Sequence, residues 1–353
     1  MSRMLMIGST SVHDESHCYV VAEIGHNHQG SLEKAKEMFR VAKECGVDAV
    51  KLQKRSNRTL YTRAMYESPY DNENSFGPTY GAHREALEFE WDEYVELKGY
   101  AAEIGVTFFA TAFDFESADF LAKLDVPAFK IASGDLTNLP LITYVAGFGR
   151  PLIVSTGGGA LADVQRVYDA VIPINRQLCL MQCAASYPSE PEDMHLRVIT
   201  SFRQLYPDIV IGLSDHQNGI AMADVAYILG ARVIEKHFTL NRAWKGTDHA
   251  YSLEPVGMRK LVRDLRRVRA ALGSAEKQPL PIGKKPLFKM GKKLVAARAL
   301  PSGHVFQPGD LVARSPADGG LPPYELDRLL GGRLLRALAD EEGIALEDVE
   351  LAP

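Results

Sequence analysis

Four charged residues stand inside otherwise apolar runs of this sequence: Glu23 in 20–24, Lys51 in 49–53, Lys130 in 128–132 and Glu235 in 232–238. Taking a charge out of water is costly unless a partner meets it. One such residue reads as an outward-facing or salt-bridged side chain, whereas four at the same end of their runs read as a shared polar site. Two lysines supply point charge, and Thr111, Ser133, Ser155 and Ser214 at neighbouring run ends supply directed donors. That set suits a small ligand carrying phosphate and carboxylate. The turn Ser155-Thr156-Gly157-Gly158-Gly159, before a helix starting near Leu161, is a candidate anion cradle, although such turns also simply close loops. His216 and His237 follow the last two runs, beside Asp215 and Glu235. Two imidazoles there can form half of an octahedral site, with water and substrate oxygens completing the shell of Mn2+ or Mg2+. A structural zinc site would want more protein ligands, preferably cysteine.

The elements that must position these groups follow from periodicity. Strand-like runs fall at 20–24, 49–53, 106–111, 128–132, 152–155, 178–183, 209–213 and 232–238. Helical spacing separates them. Ser31 is placed to cap a helix whose apolar face is Leu32, Ala35, Phe39, Ala42 and Cys45, closed by Gly46, and 161–171 repeats the pattern. Further helices are expected near 92–104, 116–124, 194–205, 219–229 and 256–272. Eight strand–helix units predict a (β/α)8 TIM barrel over residues 1–273, with its chemistry at the C-terminal strand ends. A doubly wound open sheet would need fewer units, and no GxGxxG follows the first strand. Residues 274–290, rich in Pro and Gly, read as a linker, and 291–353, punctuated by turn signals, as a small appended domain.

Composition excludes several classes. With 353 residues, 46% hydrophobic and 24% charged, the chain is neither disordered nor fibrous. A net charge of −5 argues against a nucleic-acid-coating protein. The twelve Lys or Arg between 259 and 293 read as a solvated helix face and a basic linker, since only Phe288 could stack on a base there. No run approaches the ~18 apolar residues of a membrane span, and no cleavage site marks a signal peptide. Cys18, Cys45, Cys179 and Cys183 lack metal-type spacing and read as reduced thiols, so a cytoplasmic protein is expected.

In order and spacing, Ala22-Glu23-Ile24-Gly25-His26-Asn27-His28, Lys130-Ile131-Ala132-Ser133-Gly134-Asp135, Gly212-Leu213-Ser214-Asp215-His216 and Ile234-Glu235-Lys236-His237-Phe238-Thr239 resemble the motifs of the N-acetylneuraminate (sialic acid) synthase family. Asn74-Ser75-Phe76-Gly77 with His83-Arg84-Glu85 looks like its bacterial branch, and 294–350 like its C-terminal antifreeze-like (SAF, β-clip) domain. The resemblance implies condensation of phosphoenolpyruvate with an open-chain N-acetylhexosamine, typically N-acetylmannosamine, to give a nonulosonic acid and phosphate. It implies catalytic roles for Glu23, Lys51, Lys130 and Asp135, and phosphoenolpyruvate binding by Lys51, Thr111, Lys130, Ser133, Ser155 and Ser214. Sugar contacts would come from Gln53, Asn74, Tyr187, Asp248 and Arg314. The metal held by His216 and His237 would be Mn2+ foremost, with Mg2+ or Co2+ as alternatives. A domain-swapped homodimer is implied, in which the SAF domain of one subunit reaches the partner's barrel mouth and contributes Arg314.

Asp135 stands where a Glu is common in the family, and His26 where the residue is usually apolar; such departures bear on substrate choice. A legionaminic or pseudaminic acid synthase, acting on a 2,4-diacetamido-6-deoxy sugar, is the nearest rival. Synthases with phosphorylated acceptors would need a second Arg/Lys cluster, which the sequence does not place at the mouth. A carbohydrate-binding module on a vestigial barrel would require loss of the mouth residues.

Overall fold

The computed structural model of the protein describes residues 3–353, which divide into one unit ending at Gly273 and another from Ser274 to Pro353. A hairpin of β1 (Met4–Ile7) and β2 (Thr10–His13) comes first. Eight strands follow: β3 (Tyr19–Gly25), β4 (Ala49–Lys54), β5 (Thr107–Ala112), β6 (Phe129–Ile131), β7 (Leu152–Ser155), β8 (Leu178–Cys183), β9 (Val210–Asp215) and β10 (Val233–His237). Each pairs in parallel with the next, and β10 pairs with β3, closing the (β/α)8 barrel that the run spacing predicts. Strands covered by helices on one side and packed barrel interior on the other are buried on both faces, which is why they read as continuous apolar runs.

The helices lie close to their expected positions. The helix Leu32–Cys45 is capped by Ser31, whose Oγ accepts from Lys34 N at 3.3 Å, and ends at Gly46 in the left-handed region (φ 91°). Pro255–Leu272 buries Met258, Leu261, Val262 and Leu265 and turns its basic residues outward, as the solvated-face reading requires. No helix among the described residues is long and apolar enough to cross a membrane, and the four cysteines are free thiols.

Three features lie outside the periodicity argument. The helix Leu139–Ala146 between β6 and β7 is so apolar that it has no polar stripe. Its signature is local: Asn138 Oδ1 accepts from Leu141 N and Pro140 occupies the first turn. The β1–β2 hairpin buries Leu5, Ile7 and Val12 in the barrel core. Met6 N donates to Gln177 Oε1 and Gly8 lies against Pro127, residues that precede β8 and β6, so the hairpin covers the N-terminal end of the barrel. Residues 55–90, between β4 and the helix Trp91–Ile104, form a long loop with short helices at Asn57–Leu60, Arg63–Tyr66 and Tyr80–Glu85.

In the second unit, β11 (Lys293–Ala296) pairs with β12 (Leu311–Arg314) and β13 (Arg333–Leu334) with β14 (Val349–Glu350), both antiparallel. Leu294, Leu300, Phe306, Leu311, Leu334 and Ile344 are among its small core. Asp310 supports that core as a hub, accepting from Arg298 Nη2 at 2.6 Å and Gln307 N at 2.8 Å and pairing with His304 Nε2 at 2.6 Å. The segment 274–290 is not all irregular: Lys284–Met290 forms a helix. Pro286 there falls in the first turn, where the missing N–H costs nothing.

Burial holds several histidines neutral. His28 stacks on Phe89 with ring centroids 4.2 Å apart, and burial depresses its pKa to about 3. Because the unfolded chain takes up that proton near pH 6.5, stability is full above 6.5 and falls with pH by at most about 1.4 kcal/mol per unit. Replacing His28 by Gln is expected to shrink the stability lost between pH 7 and 5 by about 2 kcal/mol in urea titrations. An unchanged loss would show that His28 protonates freely in the fold.

Candidate active site

The deepest polar layer sits inside the C-terminal end of the barrel, where Glu23, Lys51, Lys130 and Glu235 are each no more than 5% exposed. Lys51 Nζ lies 2.6 Å from Glu23 Oε2 and donates to Thr111 Oγ1 at 2.8 Å. Lys130 Nζ donates to Ser155 Oγ at 2.7 Å. Glu235 Oε1 lies 3.8 Å from Lys51 Nζ and 3.4 Å from Lys130 Nζ, and accepts from Ser214 Oγ at 3.3 Å. The barrel register explains the convergence, since Glu23 pairs with both Lys51 and His237, Thr111 with Lys130, and Ser214 with Glu235. Burial works against ionisation of Glu235, but Lys130 and Lys51 outweigh it and hold the carboxyl well below its ordinary range. Burial dominates at Glu23 and raises its pKa, against the pull of Lys51. Lys130 is lowered, burial again being the main cause.

His216 and His237 come next, with ring centroids 5.3 Å apart. Burial, followed by the neighbouring His237, pushes His216 down to about 4, and burial lowers His237 as well. Both imidazoles are therefore neutral near pH 7, as ligands must be. His216 Nδ1 lies 3.0 Å from the Ala184 carbonyl oxygen, which can only accept, so the proton sits on Nδ1 and the Nε2 lone pair is free. His237 Nδ1 is buried without a hydrogen-bond partner. These donors fit a divalent ion bound through two protein ligands. No cluster of three His, Cys, Asp or Glu side chains with ligand geometry occurs among the described residues, so the rest of any shell would be solvent or substrate.

Above this layer opens a cavity of about 580 Å³ lined by Gln53, Arg55, Arg84, Tyr187, Asp248 and Tyr251, among others. Gln53 Nε2 donates to Glu23 Oε1 at 2.6 Å, tying the cavity to the charged layer. Gly25, at φ +53°, is where three of these groups meet: a Cβ there would lie 3.1 Å from Glu23 Oε1, 3.2 Å from Gln53 Nε2 and 3.6 Å from Asp248 Oδ2. Tyr187, 55% exposed, tilts over His216 at 4.2 Å between centroids. Burial opposes ionisation of Asp248, yet His237, Thr247, Tyr251 and Arg84 together lower its pKa.

Other polar residues at the strand ends serve the scaffold. Asp114 caps the helix Phe115–Lys123, accepting from Ser117 N at 2.7 Å. Asp215 and Lys236 pair with each other at 2.8 Å. Ser133 does both: it lines the cavity, and its Oγ accepts from Gly157 N at 3.0 Å, so the glycine turn closes against the β6 loop. Asp135 lies in the turn Ser133–Asp135, accepts from Asn138 Nδ2 at 3.0 Å and is not on the cavity wall. Asn74 also lies off the wall; its Oδ1 accepts from Gly246 N at 3.0 Å and so anchors the loop bearing Asp248. Arg314 closes β12 in the second unit, exposed and opposite Lys293.

One expectation needs correction. The sequence places no second basic cluster at the mouth, yet Arg55 and Arg84 stand there together, on either side of His26. Arg55 carries the same-face alternation of Lys51 and Gln53 one step further, and that was the available signal.

Residues 38–277 match the model of the NeuB family, and 293–350 that of the SAF domain. The chain belongs to the NeuB family. It is 42% identical over 333 residues to N-acetylneuraminate-9-phosphate synthase of Mus musculus, covering 94% of this chain and 93% of that one. It is 34% identical to N,N'-diacetyllegionaminic acid synthase of Legionella pneumophila, covering 94% and 95%. The crystal structure of N-acetylneuraminic acid (sialic acid) synthetase from Leptospira borgpetersenii superposes with a TM-score of 0.71 at 28% identity, covering 81% of this chain and 95% of that one. The barrel and the SAF domain of this NeuB-family chain thus match the fold expected from its motifs.

Gly25→Ala adds one methyl at the meeting point of Glu23, Gln53 and Asp248, on a backbone that disfavours Cβ by roughly 1 kcal/mol. A loss of a few degrees in Tm is expected, with kcat/KM reduced by about tenfold or more through displaced contacts. Full catalytic efficiency in the variant would mean that this junction does not touch substrate.

Proposed function

We propose that the barrel mouth condenses phosphoenolpyruvate with the aldehyde of an open-chain N-acetylhexosamine, N-acetylmannosamine in the first instance, and with water, giving a nonulosonic acid and inorganic phosphate. The observation that carries the reading is the pair Lys51 and Lys130, each buried, each bonded to a hydroxyl and both facing Glu235. Two buried ammonium groups with directed hydroxyls suit a doubly anionic phosphate beside a carboxylate. Identity to sialic acid and legionaminic acid synthases over most of the chain supports the same chemistry. A cytoplasmic location fits phosphoenolpyruvate as co-substrate.

Carbon 3 of phosphoenolpyruvate attacks the aldehyde carbon, forming the new C–C bond. Water adds at carbon 2, and the C–O bond to phosphate breaks. Lys51, Lys130, Ser133, Ser155 and Ser214 hold phosphate and carboxylate against the acceptor, and closing off solvent around them strengthens each contact. Glu23, whose pKa burial raises, sits between Lys51 and Gln53 and is placed to take the proton of the incoming water or that of a sugar hydroxyl. Gln53, Tyr187 and Asp248 orient the sugar. His216 and His237 would hold the divalent ion, Mn2+ foremost, which when bound polarises a carbonyl oxygen and favours ionisation of water.

The SAF domain is assigned the role of a lid given by one subunit of a homodimer to its partner. Arg314 suits this: it is exposed and makes no ion pair among the described residues. Arg314→Ala should raise the acceptor KM about tenfold or more with little change for phosphoenolpyruvate. Mixing Arg314→Ala with Lys51→Met subunits should restore up to about a quarter of wild-type activity if the Arg acts across a swapped dimer; absence of rescue would place Arg314 in its own subunit's site.

The decisive assay follows phosphoenolpyruvate consumption with a panel of acceptor sugars, with and without Mn2+. Turnover of N-acetylmannosamine or its 6-phosphate, lost in His216→Ala, is expected. Preference for 2,4-diacetamido-6-deoxy sugars would instead make the protein a legionaminic or pseudaminic acid synthase, the second reading, to whose Legionella member identity is lower, 34% against 42%.

A further inference from the structure

We propose that the buried pair of Asp215 and Lys236 is a positioning device that sets the spacing of His216 and His237, an inference that rests on reading those two histidines as the protein's ligands to a divalent ion. Asp215 closes β9, and Lys236 is the last residue but one of β10. The registered pairing of the two strands runs from Val233 with Gly212 to Lys236 with Asp215 and stops there. His216 and His237 are the next residue on each strand. They therefore lie one step past the last pair that holds β9 to β10.

Side chains take over where the ladder ends. Lys236 Nζ lies 2.8 Å from Asp215 Oδ2 and also donates to the Gln217 carbonyl oxygen. Asp215 Oδ1 accepts from Gln217 N at 2.8 Å. Both backbone polar groups of Gln217 are thus tied, one to each member of the pair, and His216 is held between Asp215 and a residue that the pair grips. The His216 carbonyl oxygen accepts from Ser189 N at 3.1 Å, which fastens it to the β8 side as well. His237 is held through its main chain, Leu253 N donating to its carbonyl oxygen at 2.8 Å, whereas its ring Nδ1 has no hydrogen-bond partner. The place of that ring follows from the backbone of β10, and Lys236 is what ties that backbone to the end of β9.

The pair stands apart from the chemistry itself. Side chains alternate along a strand, so Asp215 and Lys236 point away from the barrel interior that Ser214, Glu235 and His237 face. Each is 1% exposed, and neither lines the cavity above the lysine layer. Burying two charges is costly, and apolar residues of like volume often give equal or greater stability at such a place. What apolar residues lack is direction: a carboxylate and an ammonium bonded to each other and to one residue's N–H and C=O fix a backbone that packing alone would let slide. Loss of groups that orient metal ligands typically costs about 10- to 100-fold in affinity.

The test measures Mn2+ affinity from the electron paramagnetic resonance signal of the free ion, with the full-length protein and no substrate. In the double variant Asp215→Leu with Lys236→Met, which leaves no charge unpaired, the Kd for Mn2+ is expected to rise about 10- to 100-fold with Tm little changed. Asp215→Asn keeps the shape of the side chain and an acceptor for Gln217 N, and is expected to weaken Mn2+ binding about three- to tenfold. Lys236→Arg, which keeps the charge and can make both bonds, should stay within about threefold of wild type. Wild-type Mn2+ affinity in the double variant would overturn the positioning role while leaving His216 and His237 as ligands. If the double variant does not fold, Asp215→Asn decides: wild-type affinity there reduces the pair to a structural role. An unchanged Mn2+ affinity in His216→Ala would instead remove the ligand assignment, and the proposal with it.

Discussion

Everything at the barrel mouth depends on holding two lysines and two glutamates against one another in a region that excludes water. Lys51 and Lys130 are satisfied only because Glu23, Glu235, Thr111 and Ser155 are within reach. That balance is what makes the layer stable without substrate. It also makes it receptive, because an entering anion exchanges one set of partners for another and does not have to strip bulk water from the ammonium groups. The same dry surroundings keep His216 and His237 neutral and lift Glu23, so one condition, exclusion of solvent, moves all three groups toward their uncharged forms.

The layers above it are ordered along a single strand. β4 presents Lys51, then Gln53, and its continuation presents Arg55, each on the same face because side chains alternate. Lys54, one position out of phase, points instead to Glu88 and the Phe89 carbonyl. On the proposed reading, anion binding and sugar orientation thus fall at increasing height on one rigid element. Loops complete each level, Asp248 from the segment after β10 and Arg84 from the long connection after β4.

How much of this was legible in the sequence depends on how far a residue departs from its surroundings. Lys51, Lys130, Glu23 and Glu235 are conspicuous because charge inside a buried strand demands an explanation, and the eight apolar runs are legible because both faces of each strand are covered. The helix Leu139–Ala146 escaped for the converse reason: with no polar face it offers no period to read. Arg55 and Arg84 escaped because a charged residue in a loop is unremarkable until the fold shows it half enclosed. Asp135 was legible as a polar residue near a strand end and Asn74 only through the family resemblance, and the hydrogen bonds to Asn138 and Gly246 show what they hold.

The barrel interior is one packed core, which the β1–β2 hairpin extends with Leu5, Ile7 and Val12, so the lysine layer is approached from the C-terminal strand ends. Whatever enters must pass the sugar level to reach the lysine level, and whatever is made must leave by the same route. On the proposed reaction, phosphate released beside Lys51 and Lys130 lies beneath the newly formed nine-carbon acid. On that proposed reaction traffic would be last in, first out, with phosphoenolpyruvate loading before the sugar and the sugar acid departing before phosphate. The packed core that makes depth matter in this way touches no reacting atom.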